Sequence, residues 1–384
     1  MVLHDVRHAK SNLLSKALIM NNTNQKLHML QTQDDRKIIL GGLSLTLVVS
    51  ASLVALWRGS FVSTLSAETA SLAGDVSSFS GPDANNQMVN HVGVILVPGQ
   101  ASSIQAAIDQ ATDGSVIFVA PGEYRESIRI HGKNISLQAT CGAASTRILG
   151  NGQGGPIASV ENSKFMIDGF CMQDGRGDNG RGMAIVGSNA TIVNCTFTNN
   201  MGGVSLTNSL AQFDHCAVTL NQSAVQGGGV WAWQSDVRMS DCNIDGNATG
   251  TFGGGVYAQG GSIQLLNVSF MNNRVKSGAW GGGLYSDRAN VNLNACVMQG
   301  NFSQDAGAAM YVLDASAKIR ASTFKNNSSI GSATVVGANA QFDIQDSILE
   351  ADNESIAAAA RDETVIEMAG ADAMETSAMM MAVK

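Results

Sequence analysis

The sequence predicts an all-β solenoid of about nine parallel coils, with a short capping helix at its start and one transmembrane helix ahead of it. Three observations predict it. The phrases GGGVWAW, GGGVYAQ, GGGLYSD and AGAAMYVL follow one another through residues 227–313. Val230, Val256, Leu284 and Met310 mark the step, with spacings of 26, 28 and 26. Repeats of this length, alternating apolar and polar inside, stack as coils that bury a shared axis. Composition agrees, since 42 Gly beside only 4 Pro suits many tight corners and not a Pro-rich linker. Aromatics are 5 %, and the apolar content is mostly Val, Ile, Leu and Ala, which suits a narrow core.

Residues 1–37 are polar and read as a cytoplasmic tail. They carry six Lys/Arg and three Asp, so this segment is +3 in a chain of −8 and the remainder is −11. An acidic body argues against nucleic acid as a partner, which needs clustered basic charge. Residues 38–57 are twenty positions without a charge, with Arg36 and Lys37 before them and Arg58 after. At ~1.5 Å per residue that run spans the ~30 Å hydrocarbon layer. The basic flank lies mainly before it, which predicts a single-pass anchor with the C-terminal body extracellular or lumenal. A cleaved signal peptide is the other reading of the same run. Residues 58–90 are rich in Ser, Ala, Asn and Gly and read as a flexible linker.

The β-helix domain is predicted over 91–352. Val92, Val94 and Leu96 alternate as a first strand. Ser102 or Ser103 then starts a short helix whose Ile104, Ala107, Ile108 and Ala111 form one stripe, fit to cover the open end of the solenoid. Aligned coils give inward pairs such as Ala211/Phe213, Val237/Met239, Ile263/Leu265 and Val291/Leu293. The next inward position is Thr140, Phe170, Cys195, Cys216, Cys242, Val268, Cys296, Ser322 and Ser347 in successive coils. Beyond it lie Phe197, Val218, Ile244, Phe270, Met298 and Phe324, and then Asn200, Asn221, Asn247, Asn273, Asn301 and Asn327. Asn at a bend is expected to take the left-handed conformation and use its amide on neighbouring coils. After Asp352 the register is lost. Residues 353–384 read as a C-terminal cap or a disordered tail, with SIAAAARDETVIEMAG as a short capping helix.

The six cysteines fall in two registers. Cys195, Cys216, Cys242 and Cys296 read as free, buried, small fillers. Cys141 and Cys171 lie one place later, outward and in adjacent coils, either free or bridged. No Cys/His spacing suggests zinc.

The stretch SSIQAAIDQATDGSVIFVAPGEYRESIRIHGKNISLQA, residues 102–139, resembles the opening segment of the pectin-lyase-like right-handed parallel β-helix superfamily. The resemblance continues to about residue 350. It implies a right-handed coil. It also implies, for the superfamily's enzymes, polysaccharide chemistry by carboxylates grouped with a basic residue on the outer face. Asp168, Asp214 and Asp241 fall at or near corners but not in consecutive coils, and Asp287 and Asp314 are isolated. No catalytic residue is therefore carried over. The phrases from Phe270 to Asn273 and from Gly281 to Leu284 also resemble repeats of polymorphic outer-membrane protein passengers, which are adhesins.

Three candidate sites emerge. Trp231, Tyr257, Tyr285 and Tyr311 each follow an inward apolar residue, and Trp233 lies beside them. Such a row of outward rings can stack on sugar faces, or on itself to shield a strand. In loop 173–182, Asp174, Asp178 and Asn179 offer oxygens to Ca²⁺, the one cofactor the sequence suggests, although their order matches no EF-hand loop. Sequons begin at Asn134, Asn189, Asn194, Asn221, Asn247, Asn267, Asn301, Asn326, Asn327 and Asn353. Of these, Asn221, Asn247, Asn301 and Asn327 occupy the bend ladder, whereas Asn189 and Asn353 are expected to be accessible. The functional expectation is a membrane-anchored module binding carbohydrate, a cell-surface glycan or a protein partner. A polysaccharide lyase, esterase or hydrolase is the alternative.

Overall fold

The computed structural model describes residues 93–349 apart from 153, 178, 179, 277, 331 and 332, together with strands Ile356–Ala358 and Val365–Ala369. The chain divides into units Met1–Gln87 and Met88–Lys384, and the described residues belong to the second. The tail, the uncharged run 38–57 and the linker 58–90 lie outside them. Among the described residues no helix is long and apolar enough to cross a membrane.

Each coil contributes strands to up to four ribbons. One complete coil runs through Val204–Thr207, Leu210–Asp214, Ala217–Thr219 and Gln222–Ser223. Every pairing between coils is parallel, with like positions in register, as in Ala211 against Val237 and Val218 against Ile244. The third ribbon holds ten described strands, so the solenoid has about ten turns where the repeat count predicts nine. The first two ribbons merge where Val230–Ser240 and Val256–Leu266 run as single strands.

Alternation within each strand sends one set of side chains to the axis. Phe197, Phe213, Phe270 and Phe324 are fully buried there, with Ile and Val above and below. Truncating one such ring to Ala costs about 3–5 kcal/mol, because coils held by both neighbours cannot collapse into the gap. The ribbons turn at single residues of positive φ, among them Asn194, Asp241, Asn267 and Gly246. Asn, Asp and Gly are the residues that tolerate this conformation.

The asparagine ladder departs from expectation in one respect. Asn200, Asn221, Asn247, Asn273, Asn301 and Asn327 are buried, but the left-handed residue is the one before them, such as Asn199, Leu220, Gly246 or Asn272. The preceding residue makes the turn, which leaves the ladder amide free to point inward. Asn247 Nδ2 donates to Val218 O at 2.8 Å and to Asn273 Oδ1 at 3.0 Å. Its Oδ1 accepts from Asn221 N at 3.1 Å and Asn221 Nδ2 at 3.0 Å. The unit repeats along the ladder, so amides otherwise costly to bury satisfy one another.

The cysteine row is a second ladder. Cys195, Cys216, Cys242 and Cys296 are buried and free. They do more than fill space. Cys242 Sγ donates to Ser240 O at 3.1 Å and accepts from Cys216 N at 3.4 Å. Ser322 makes the same pair of bonds with Arg320 O at 2.7 Å and Cys296 N at 3.1 Å. Thiol and hydroxyl are therefore interchangeable at this corner. Cys141 and Cys171 are both free, and Cys171, although outward in register, is buried.

Two further placements differ from the sequence alignment. Thr140 is exposed, and residues 140–145 form a turn before Thr146–Leu149. Buried Thr146 takes the inward position below Phe170 instead. Beyond Asp352 the register resumes where a helix was expected. Ile356–Ala358 pairs from Val335, and Val365–Ala369 pairs Ile366 with Phe342 and Met368 with Ile344. The period-2 placement of Ile366 and Met368 matches the strand beneath.

Near the start, helix α1 spans Ile104–Gln110, and its Ile104, Ala107 and Ile108 join the core. Ser103 Oγ accepts from Ala106 N at 3.1 Å. Glu126 accepts from Ile104 N and Gln105 N at 3.0 and 2.9 Å. At the other end Lys133 Nζ donates to Ile108 O at 2.6 Å and Ala111 O at 2.8 Å. A carboxylate at the N-terminus and an ammonium at the C-terminus are the charges that unpaired helix ends favour.

Candidate functional site

The five aromatic candidates share one outward register, Trp231 over Tyr257, Tyr285 and Tyr311, with Trp233 two positions on. They are not an open row. Tyr257, Tyr285 and Tyr311 are only 6 %, 5 % and 7 % exposed. Their rings stack at 5.4 and 5.5 Å between centroids. The loops that lead into each Gly-rich turn fold back over them. Phe252 lies 4.9 Å from Tyr285, and Trp280 lies 5.0 Å from Tyr311. The result is a second apolar cluster outside the axis. Burial pushes the Tyr285 phenol up, and the charge of Asp287 adds to it.

The two tryptophans differ from the tyrosines. Trp233 is 40 % exposed and Trp231 is half-buried, the pair stacked at 6.2 Å with planes 20° apart. Below Trp231 the register continues with Ser205, so the ring stack ends at a step in the surface. The Arg181 guanidinium lies 5.9 Å from the Trp231 ring centroid. Burial lowers its pKa, and a cation over an indole face is a favourable placement.

A second surface was not singled out in the sequence. The residue between each inward pair points outward from the second ribbon, giving the column Thr191, Gln212, Arg238, Gln264 and Asn292. Grooves flank this column. One of about 350 Å³ runs from Asn134 and Lys164 past Asn189 to Gln212 and Arg238. The other, about 320 Å³, continues from Gln212 and Arg238 to Gln264, Asn292 and Asn294. Gln212 and Arg238 line both, so the surface is continuous. Arg238 Nε donates to Gln264 Oε1 at 3.2 Å, which holds the guanidinium along the column. The charged lining residues among those described are Lys164 and Arg238, both cationic, and the rest are amides, hydroxyls and apolar groups, Phe165 among them. Successive coils set these groups ~4.8 Å apart, a regular row of hydrogen-bonding side chains.

One cluster of ionisable groups sits at the rim. Asp214, His215 and Asp241 bring ligand-capable atoms within 4.8 Å of one another. His215 Nδ1 is 3.0 Å from Asp214 Oδ1. Ser240, which lines the second groove, donates to Asp214 Oδ1 at 2.9 Å. Asp168 lies apart from it, accepting from Asn194 Nδ2 at 2.6 Å. Of the loop suggested for Ca²⁺, Asp178 and Asn179 lie outside the described residues. Asp174 accepts from Asn199 Nδ2 at 2.5 Å and from Gln173 Nε2 at 3.1 Å. Sequon residues Asn134, Asn189, Asn267 and Asn326 are exposed.

Residues 146–328 match the family model described as a right handed beta helix region. The fold is a right-handed parallel β-helix. No curated protein matches the sequence. Solved structures similar to this β-helix include the pectate lyase Pel9A, at 14 % identity over 70 % of this chain and 78 % of that one, TM-score 0.44. The A-module of the Azotobacter vinelandii mannuronan C-5 epimerase AlgE6 is 13 % identical over 71 % of this chain and 96 % of that one, TM-score 0.40. The polygalacturonase from Erwinia carotovora ssp. carotovora is 13 % identical over 77 % and 99 %, TM-score 0.35.

Proposed function

We propose that this β-helix binds a polysaccharide along the outer face of its second ribbon and does not cleave it. The groove carries the reading. Its column of Thr191, Gln212, Arg238, Gln264 and Asn292 offers donors and acceptors at the coil spacing, and among the described residues no carboxylate lines it. Hydrolysis of a glycosidic bond ordinarily uses a pair of such carboxylates. Trp231 and Trp233 supply a second contact, where an exposed indole face meets a sugar ring. Of the original aromatic set, Tyr257, Tyr285 and Tyr311 serve by holding that step rigid.

Residues 38–57 anchor the protein in a membrane, with residues 1–37 cytoplasmic and the β-helix outside. The partner is then an external polysaccharide or surface glycan, in an adhesion-like role. Binding needs no cofactor.

A second reading is favoured by the Asp214–His215 pair beside Ser240, which is the acid–base chemistry nearest the groove. It makes the protein a polysaccharide-active enzyme. Affinity electrophoresis through gels containing polygalacturonate, alginate or a neutral glucan, with Ca²⁺ or with chelator, separates the two. The binding reading expects retardation of the full chain in at least one gel, lost in Gln212→Ala/Arg238→Ala, with polymer length unchanged. No retardation in any gel overturns it. Shortened polymer that survives in His215→Ala points away from the rim pair, and shortening lost in His215→Ala establishes the enzyme.

A further inference from the structure

The asparagine ladder and the sequons coincide. Asn221, Asn247, Asn301 and Asn327 each begin an Asn-x-Ser/Thr triplet. In the folded chain the first three are 0 % exposed and Asn327 is 4 % exposed. We propose that N-linked glycan transfer to these four residues and formation of the β-helix are mutually exclusive, so that the folded protein arises only from chains unmodified there.

The atoms involved make the conflict specific. Transfer from a lipid-diphosphate-linked oligosaccharide forms a bond from Asn Nδ2 to the anomeric carbon of the first sugar. The bond from that carbon to the diphosphate oxygen breaks, its electron pair leaving with the diphosphate, and Nδ2 gives up one proton. A glycosylated amide therefore keeps one N–H. The ladder uses two at Asn221, Asn247 and Asn301, and Asn327 Nδ2 donates to Met298 O at 2.8 Å. Asn221 Nδ2 donates to Phe197 O and Asn247 Oδ1, both at 3.0 Å. Asn301 Nδ2 donates to Phe270 O and Asn327 Oδ1, both at 2.9 Å. Transfer removes one of these bonds and also demands room for a sugar where adjoining coils are in contact. The triplets' hydroxyl residues Ser223, Thr249 and Ser303 are buried as well, so an enzyme reads these sites only on an unfolded chain.

Exposed sequons provide the internal contrast. Asn267 stands on an outer corner, where its Nδ2 makes a bond to Asp241 Oδ1 at 2.6 Å. A glycan there projects into solvent. A productive route for this chain is thus one in which coils close before transfer, or in which no transferase is met.

The test is cell-free synthesis of the full chain into glycosylating microsomes, its own uncharged run 38–57 delivering the β-helix to the lumen and glycan at Asn267 reporting that delivery. Products are split into protease-resistant and protease-sensitive fractions, and glycan occupancy is read site by site by mass spectrometry. A Phe270→Asp chain, which cannot pack its coils, reports occupancy without folding. Occupancy at the four ladder sites should be at least about tenfold lower in the resistant fraction, the effect of losing one buried hydrogen bond. Asn267 should be equally occupied in both. Wild-type chains unmodified at the ladder, beside a modified Phe270→Asp chain, also support the proposal, since folding then outruns transfer. A resistant chain carrying a glycan at Asn247 overturns it. So does a Phe270→Asp chain that stays unmodified at all four sites, because the sequence and not the fold would then refuse the glycan.

Discussion

Replacing Asn247 with Leu tests the ladder most sharply, because it keeps the branched side-chain skeleton and removes the amide. Two donated and two accepted side-chain bonds disappear, to Val218 O and Asn273 Oδ1 and from Asn221 N and Asn221 Nδ2. Asn273 Oδ1 keeps the bond from the Asn247 backbone N–H at 3.1 Å. Two donors are then left buried and unpaired, the Asn221 N–H and one Asn221 amide hydrogen, while Val218 O keeps its place in the strand ladder. Each such orphan costs about 1–3 kcal/mol, so the loss is at least about 2 kcal/mol. For a domain of this size that corresponds to a fall of roughly 4–8 °C in Tm. Differential scanning calorimetry of full-length wild type, Asn247→Leu and Asn272→Gly reads it directly. Asn272 is exposed, left-handed and bonded to Asp245 at 3.1 Å, so its Gly variant should lie within about 0.5 kcal/mol of wild type. If Asn247→Leu melts within about 2 °C of wild type, the ladder is not an energetic unit and the reasoning fails.

Other outcomes follow from the same geometry. Cys242→Ser keeps an acceptor for Cys216 N–H and should melt close to wild type, whereas Cys242→Val orphans that donor and should lose about 1–3 kcal/mol. Burial pushes the Cys195 thiol from 9.0 up to about 12, so the thiol form is the one the fold holds. A folded pKa above the unfolded one gives stability that is complete below pH 9 and lost as pH rises toward 12; urea titrations across that window should show the decline flattened in Cys195→Ser. Lys133→Met removes the ammonium from the α1 carbonyls and should raise amide exchange in α1 selectively, leaving the Asn247 region protected. Trp233→Ala should weaken polysaccharide binding several-fold without changing Tm by more than about 2 °C, measured by fluorescence titration and by melting; unchanged affinity removes the indole contact from the account.

The coil period was legible because apolar pairs two apart recur at spacings of 21 to 28 residues from Phe170 onward, and parallel stacking makes every such column visible in the alignment. What lay outside the strands was harder to read. Tyr257, Tyr285 and Tyr311 carry the outward register, yet register says nothing of loops folding back, and Phe252 and Trp280 come from turns of variable length. The ladder asparagines were placed in the right column and given the wrong dihedral, since the turn falls one residue earlier, as at Gly246. The groove column was present in the sequence as the middle residue of each inward pair. Gln212, Arg238, Gln264 and Asn292 share hydrogen-bonding character without sharing identity, so a search for one recurring residue type passes over them. The rim group was half visible, with Asp214 and Asp241 noted at corners. His215 escaped because only the left-handed corner brings its ring back against Asp214.

The central claim is that the outer face of the second ribbon holds a polysaccharide intact. Equilibrium dialysis of the full chain against size-defined oligosaccharides of the retarding polymer, followed by chromatography of the bound fraction, addresses it in one experiment. The account predicts saturable binding that Gln212→Ala/Arg238→Ala abolishes, with oligosaccharides recovered at their starting length. Binding that persists in that variant, or recovery of shortened chains, contradicts it.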